Sequence, residues 1–242
     1  MNEPGWHVPL DEDFHVHSTF SDGDSTLAEN VRAARERGLR TLCLADHVHR
    51  DTTWLPEFTA AVARYRQQPG LRVLAGVEAR ILNTSGRLDI PPALDGIDLV
   101  LVADHQFPSD TGPVHPAHMR DVIGQGGMTA AEAIERLCEA TGNALGATDR
   151  VPLLAHLFSV LPKIGLHEDM VPDPLLDRLA RRAAHAGALV EVNEKWSCPS
   201  ACTIAVMAGA GVRVVAGSDG HHCRDIGVYR TVRLTAEAVI PA

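Results

Sequence analysis

Short apolar runs recur along the chain, and most are closed by a histidine or a carboxylate. Residues 14–17 form the first run, followed by 39–45, 71–77, 97–103, 151–155, 188–192 and 212–217. Most are nearly continuous in apolar character, as strands of a parallel sheet buried on both faces are. Helical patterns lie between them. Residues 25–37 begin with Ser25 and Thr26 as candidate caps and Glu29 as a capping-box partner, and stop at Gly38. Residues 54–67 predict a second helix, broken by Pro69 and Gly70, and residues 129–141 and 174–187 predict two more. Residues 198–209 hold a short helix, and residues 80–90 a hairpin about Asn83-Thr84-Ser85-Gly86. Residues 106–128, rich in Pro, Gly and His, predict a long irregular loop of the kind that usually serves function. Residues 227–242 are too short and too β-branched to predict a closing helix. The alternation gives an α/β chain with seven parallel strands, closed or nearly closed into a barrel, in one domain over residues 1–242.

The residues that end the runs carry the chemistry. In a regular strand His15 and His17 project from one face, and Phe14 and Val16 from the other. Asp22 follows within a Ser-Asp-Gly turn. His47, Glu78, His105, His156, Asp219 and His221 stand just beyond later runs. A barrel brings all such strand ends to one face. A cluster of His, Asp and Glu there marks a metal site.

Composition narrows the setting. The net charge is −9 with no basic run, which argues against a nucleic-acid-binding face. The five cysteines form no Cys-x-x-Cys pair, so a reducing, cytoplasmic compartment is expected. Residues 1–10 carry neither the basic nor the apolar part of a secretory signal, and no apolar run reaches transmembrane length.

Taken in order, His15-Val16-His17-Ser18 with Ser21-Asp22-Gly23, Ala45-Asp46-His47, Gly76-Val77-Glu78, Asp104-His105, Ala155-His156 and Ser218-Asp219-Gly220-His221 resemble the PHP (polymerase and histidinol phosphatase) family. The resemblance implies a distorted β/α barrel of seven strands that binds two or three divalent metals, zinc, manganese or iron, and hydrolyses phosphate esters. It implies that His15, His17 and Asp219 take one metal, His105 and His156 a second, and Asp22, His47 and His221 a third. Glu78 would bridge the first two. Two cations roughly 3.5–4 Å apart would activate water for in-line attack on phosphorus. The proton for the leaving group would come from a metal-bound water, Asp219 or His221, so Glu78, Asp219 and His221 are the candidate catalytic residues. Lys163, Lys195 and Arg224 follow the fifth, sixth and seventh strands as candidate phosphate-binding cations, and Trp196 as a wall for the organic group. The expected function is metal-dependent hydrolysis of a phosphomonoester of a small metabolite, such as a histidinol-phosphate-, sugar- or nucleotide-like compound. The alternatives are a phosphodiesterase or exonuclease on short oligonucleotides, and a non-catalytic interaction module. A small phosphorylated substrate is the expected partner, no membrane is expected, and the negative charge argues against nucleic acid.

Overall fold

A computed structural model describes residues 7–66 and 69–238. Residues 1–6 of the stretch read for a secretory signal, residue 67 of the second helix and residues 239–242 of the tail lie outside the described residues. The chain runs β1 (Glu12–Val16), α1 (Leu27–Glu36), β2 (Thr41–His47), α2 (Leu55–Ala63), β3 (Arg72–Arg80) and β4 (Leu99–Ala103). A small hairpin follows, β5 (Phe107–Ser109) and β6 (Gly112–Val114), then α3 (Pro116–Gly124) and α4 (Ala130–Ala144). The second half runs β7 (Val151–Ala155), α5 (Asp173–His185), β8 (Leu189–Asn193), α6 (Ala201–Gly209), β9 (Arg213–Gly217) and α7 (Thr231–Ala238). Thr26 caps α1 with Glu29 completing the box, and Thr129 and Glu132 do the same for α4.

The seven long strands form one parallel sheet in the order β1-β2-β3-β4-β7-β8-β9. The sheet is a nearly closed barrel. At the seam, β1 and the segment after β9 meet at one bridge, Val16 to Gly220, with the His17 N–H donating to the Gly220 carbonyl at 2.9 Å. The Asp13 carboxylate reinforces the seam by accepting from the N–H groups of Ser218 and Gly227, both at 2.9 Å.

Alternation along the strands separates two layers. Phe14, Cys43, Ala45, Leu74, Leu101, Leu153 and Val215 fill the barrel interior. Val16, Leu44, Val77 and Val102 pack outward against α1 and α2, where Phe58 is fully buried. Truncating Phe58 to alanine would cost about 3–5 kcal/mol. Above the interior layer the inward positions turn polar, and that switch creates the site.

Three expectations change and one holds. β1 is irregular between Asp13 and Val16, so Phe14 joins the inner layer while Val16 faces outward; the two do not share a face. The stretch 106–128 is not structureless, because it holds the β5–β6 hairpin and α3. The stretch 80–90 is the expected hairpin: Ile81 and Leu88 bridge antiparallel, and the Gly86 N–H donates to the Asn83 carbonyl at 3.0 Å across the turn. The tail does form a helix, α7, held by the fully buried Val232 and by a hydrogen bond from its N–H to Glu194 at 3.0 Å.

Candidate metal centre

All nine residues expected to ligate metal come together at the C-terminal mouth of the barrel. Their donor atoms fall into four overlapping groups, each within 4.8 Å: His17, Asp22, His47 and His221; His15, Glu78 and His156; His15, His17 and Asp219; and His47, Glu78 and His105. Glu78 stands at the centre. Its Oε1 lies 2.8 Å from His105 Nε2 and 2.9 Å from His156 Nε2. Its Oε2 lies 3.3 Å from His15 Nε2, 3.4 Å from His17 Nε2 and 3.0 Å from His47 Nδ1. One carboxylate is thus divided between two sets of imidazoles.

The donor set fits divalent cations. Nδ1 of His17 and Oε2 of Glu78 are buried without a hydrogen-bond partner among the described residues. Nε2 of His15 and Nε2 of His17 face each other at 3.1 Å. Buried polar atoms are normally satisfied, so nitrogen and oxygen atoms left bare at one point suit a cation.

Buried carboxylates orient the deep histidines from behind. His15 Nδ1 faces both oxygens of Glu191, at 3.1 and 3.2 Å, so its proton belongs there and its Nε2 lone pair points inward. Glu191 also accepts from the His156 N–H at 2.8 Å. Gly217 on the neighbouring strand makes the room: a Cβ there would lie 1.7 Å from Glu191 Oε1. Asp104 lies 3.4 Å from His156 Nδ1 and accepts from the Ser159 hydroxyl at 2.7 Å. Asp46 ties down the loop that carries Asp22, accepting from Ser18 N and Oγ at 2.8 and 2.7 Å and from Ser21 Oγ at 2.7 Å. The sequence reading assigned no role to Glu191, Asp46 or Asp104. Their signal is a carboxylate inside or beside an apolar run, which burial tolerates only with partners.

The backbone is bent to suit. His156 and Asp219 have φ of 32° and 52°, left-handed values that cost a non-glycine residue about 1–3 kcal/mol. Asp219 is fixed further by Trp196, whose Nε1–H donates to its Oδ2 at 2.8 Å.

Charge is distributed unevenly. Burial works against charge on His156, but Asp104 and Glu78 hold its imidazole up at about 10. Burial likewise opposes charge on His15, and Glu191, Glu78 and Asp219 overcome it, holding His15 well above the ordinary range. His47 behaves oppositely: burial pushes it down to about 4. Burial opposes the Glu78 carboxylate, yet His105 and His15 hold it well below the usual range.

The remaining candidates divide. Lys195 Nζ lies 3.2 Å from Asp219 Oδ1 and 3.2 Å from His221 Nδ1, at the rim. Lys163 Nζ sits 3.7 Å from the Trp196 ring centroid and lines the cleft that leads outward from His47, Glu78 and His105. Arg224 is not brought in. Its exposed guanidinium pairs with Asp225 at 3.7 Å, and Arg37 grips the backbone there by donating to the carbonyls of Cys223 and Arg224. Arg80, not singled out from sequence, lines the same cleft instead. No helix of the described residues is long and apolar enough to cross a membrane.

Known proteins match this arrangement. The sequence model described as the PHP domain matches residues 13–217. A "probable phosphatase" of Vibrio vulnificus (strain CMCP6) is 28% identical over 91% of this chain and 81% of its own. One of Caldanaerobacter subterraneus subsp. tengcongensis is 27% identical over 95% and 84%. The match to a "probable phosphatase" of Vibrio parahaemolyticus reaches 33% identity but spans about half of each chain, 49% and 50%. Among solved structures, the histidinol phosphate phosphatase of Lactococcus lactis, complexed with zinc, L-histidinol and phosphate, superposes with a TM-score of 0.66 over 96% of this chain and 94% of its own. At 16% identity that likeness shows a shared fold.

Proposed function

The chain belongs to the PHP domain family and is a metal-dependent phosphoesterase of that family, and we propose that it hydrolyses a phosphomonoester of a small metabolite. The observation that carries this reading is Glu78, whose two oxygens serve two separate sets of imidazoles in a deep pocket. A carboxylate shared in this way holds two cations close together. Divalent cations bound here supply Lewis acidity and a nucleophile at neutral pH. His15, His17 and Asp219 hold one, His105 and His156 the second, and Asp22, His47 and His221 a third. Imidazole and carboxylate donors suit zinc, manganese and iron alike.

The chain's own residues do the rest. Burial opposes charge on Asp219, but His15 and His17 hold its carboxyl below the ordinary range. It therefore enters as an anion and serves as a ligand rather than a source of protons. Lys195 at the rim sets an ammonium where negative charge on phosphate oxygens develops. The cleft holds about 500 Å³, a size that suits a small metabolite.

Metal analysis of protein purified without chelator, followed by assay on paired phosphomonoesters and phosphodiesters, tests the reading. Two or three cations per chain and faster monoester turnover are expected. Lys195→Met should lower kcat/KM about ten- to a hundredfold on the monoester, more than on the diester, with metal content unchanged. Metal-free protein with full activity would exclude the reading.

A further inference from the structure

The cleft that opens from His47, Glu78 and His105 has a basic far wall. Arg80, His115 and Lys163 line it, and Glu78 is the one carboxylate among the described residues that do. In a chain of net charge −9 this is a local reversal of sign. Arg80 lies two positions beyond Glu78 on β3, so the two share a face with Cα atoms roughly 7 Å apart.

Arg80 is held in place from behind. Its Nη2 donates to Asp89 Oδ2 at 2.7 Å and its Nη1 to Gln106 Oε1 at 3.4 Å. Asp89 is buried, and its other oxygen accepts from the Arg50 N–H at 2.9 Å, so it is a fixed anchor. A guanidinium carries five N–H donors, and these two bonds leave others for a ligand. His115 caps α3 by accepting from the Ala117 N–H at its Nδ1, 3.2 Å away. The neutral ring then carries its proton on Nε2, which is left to donate. The positive end of α3 acts in the same sense.

We propose that this wall is a second anion subsite: the organic part of the substrate carries a carboxylate or a second phosphate, which Arg80 binds while the scissile phosphate sits at the histidine–carboxylate cluster. The proposal rests on the phosphatase reading above and narrows it. It commits to a compact substrate with its two anionic groups a few bonds apart. A cationic leaving group would meet Arg80 and Lys163 and be rejected.

The test uses four phenyl phosphates whose para substituent is carboxylate, phosphonomethyl, hydroxymethyl or aminomethyl. Metal-loaded wild-type enzyme is expected to favour the two anionic rings over the aminomethyl ring by at least about tenfold in kcat/KM, a preference that shrinks as salt is raised. Arg80→Met alone would strand Asp89, so the informative variant is Arg80→Met with Asp89→Asn. It should lose about ten- to a hundredfold on the anionic rings and under about threefold on the hydroxymethyl ring. Equal losses on all four rings would return Arg80 to a structural role and overturn the proposal. Wild-type hydrolysis of all four without a charge preference would overturn the subsite and leave the phosphatase reading standing; hydrolysis of none would overturn both. The wild-type preference and its salt dependence decide the matter even if the double variant fails to fold.

Discussion

His15 and His47 both reach Glu78 Oε2, and they are supported in opposite ways. His15 has no exposed surface and leans on Glu191, a carboxylate equally buried. His47 is 29% exposed, and its far nitrogen faces Asp22, which is 53% exposed, at 3.4 Å. The contrast extends to their neighbours. His156 is backed by Asp104, whereas His221 faces the same exposed Asp22 at 3.4 Å. The inner half of the cluster thus leans on buried carboxylates, while the outer half shares one that faces solvent. A buried carboxylate behind an imidazole fixes its tautomer and raises its basicity. An exposed one is screened and free to move. One family of donors can therefore make a firm site and an adjustable one a few ångströms apart.

The largest effect should come from the residue that joins the halves. Glu78→Gln should lower kcat/KM by at least about 10²-fold, or about 2.7 kcal/mol of transition-state stabilisation, and reduce metal content. Near wild-type turnover with full metal occupancy would remove Glu78 from the mechanism. Next come matched changes in each half. Glu191→Gln should weaken the tightest metal site about 10- to 100-fold. Asp22→Asn should spare that site and lose only the most weakly held cation. Competition against a chelator, read by elemental analysis, separates the two; equal losses in both variants would erase the inner–outer distinction.

A smaller effect concerns protons. His156 titrates at about 10 in the metal-free fold, above its ordinary value, so it stabilises that fold fully below about pH 6.5 and loses the contribution as pH rises through 10. A cation entering the inner half must displace that proton, so inner-site affinity should rise with pH across the neutral range. His47, held down near 4, is already neutral there and releases no proton to an entering cation. Calorimetry in buffers of different ionisation enthalpy should show proton release as the inner site fills. The smallest effect is expected outside the cluster. Arg224→Ala should leave activity within about twofold and stability within about 0.5 kcal/mol.

The cluster was readable in sequence because every ligand but Asp22, which sits in the turn after β1, lies at or just beyond the end of a strand, where an apolar run gives way to a His or a carboxylate. Its supports were harder to read for physical reasons. Glu191 sits inside Leu-Val-Glu-Val-Asn, a stretch that reads as an ordinary buried strand until Gly217 is seen to leave space beside it. Asp46 and Asp104 are adjacent in sequence to His47 and His105, yet one anchors the Asp22 loop and the other backs His156, and tertiary pairings of that kind have no sequence periodicity. Arg224 misled because three residues beyond His221 are enough for a turn to carry a side chain away. The β5–β6 hairpin was hidden by Pro108 and Pro113, which weaken a strand pattern, and α3 by its His115 cap, a residue outside the usual Ser, Thr, Asp and Asn.

The seam between β1 and β9 has a consequence for the barrel as a mechanical object. Its six other strand pairs are joined along parallel ladders, whereas this joint is held by the Val16–Gly220 bridge, by backbone hydrogen bonds of Gly220 with His15 and His17, by the Asp13 carboxylate and by the Arg213–Glu12 ion pair. His15 and His17 lie on one bank of it, Asp219 and His221 on the other. A cation shared across those banks would be a rivet through the closing joint of a hoop, tying the first strand to the last. Stripping the cations would cut that rivet, so the first strand should peel away well before the rest of the barrel melts.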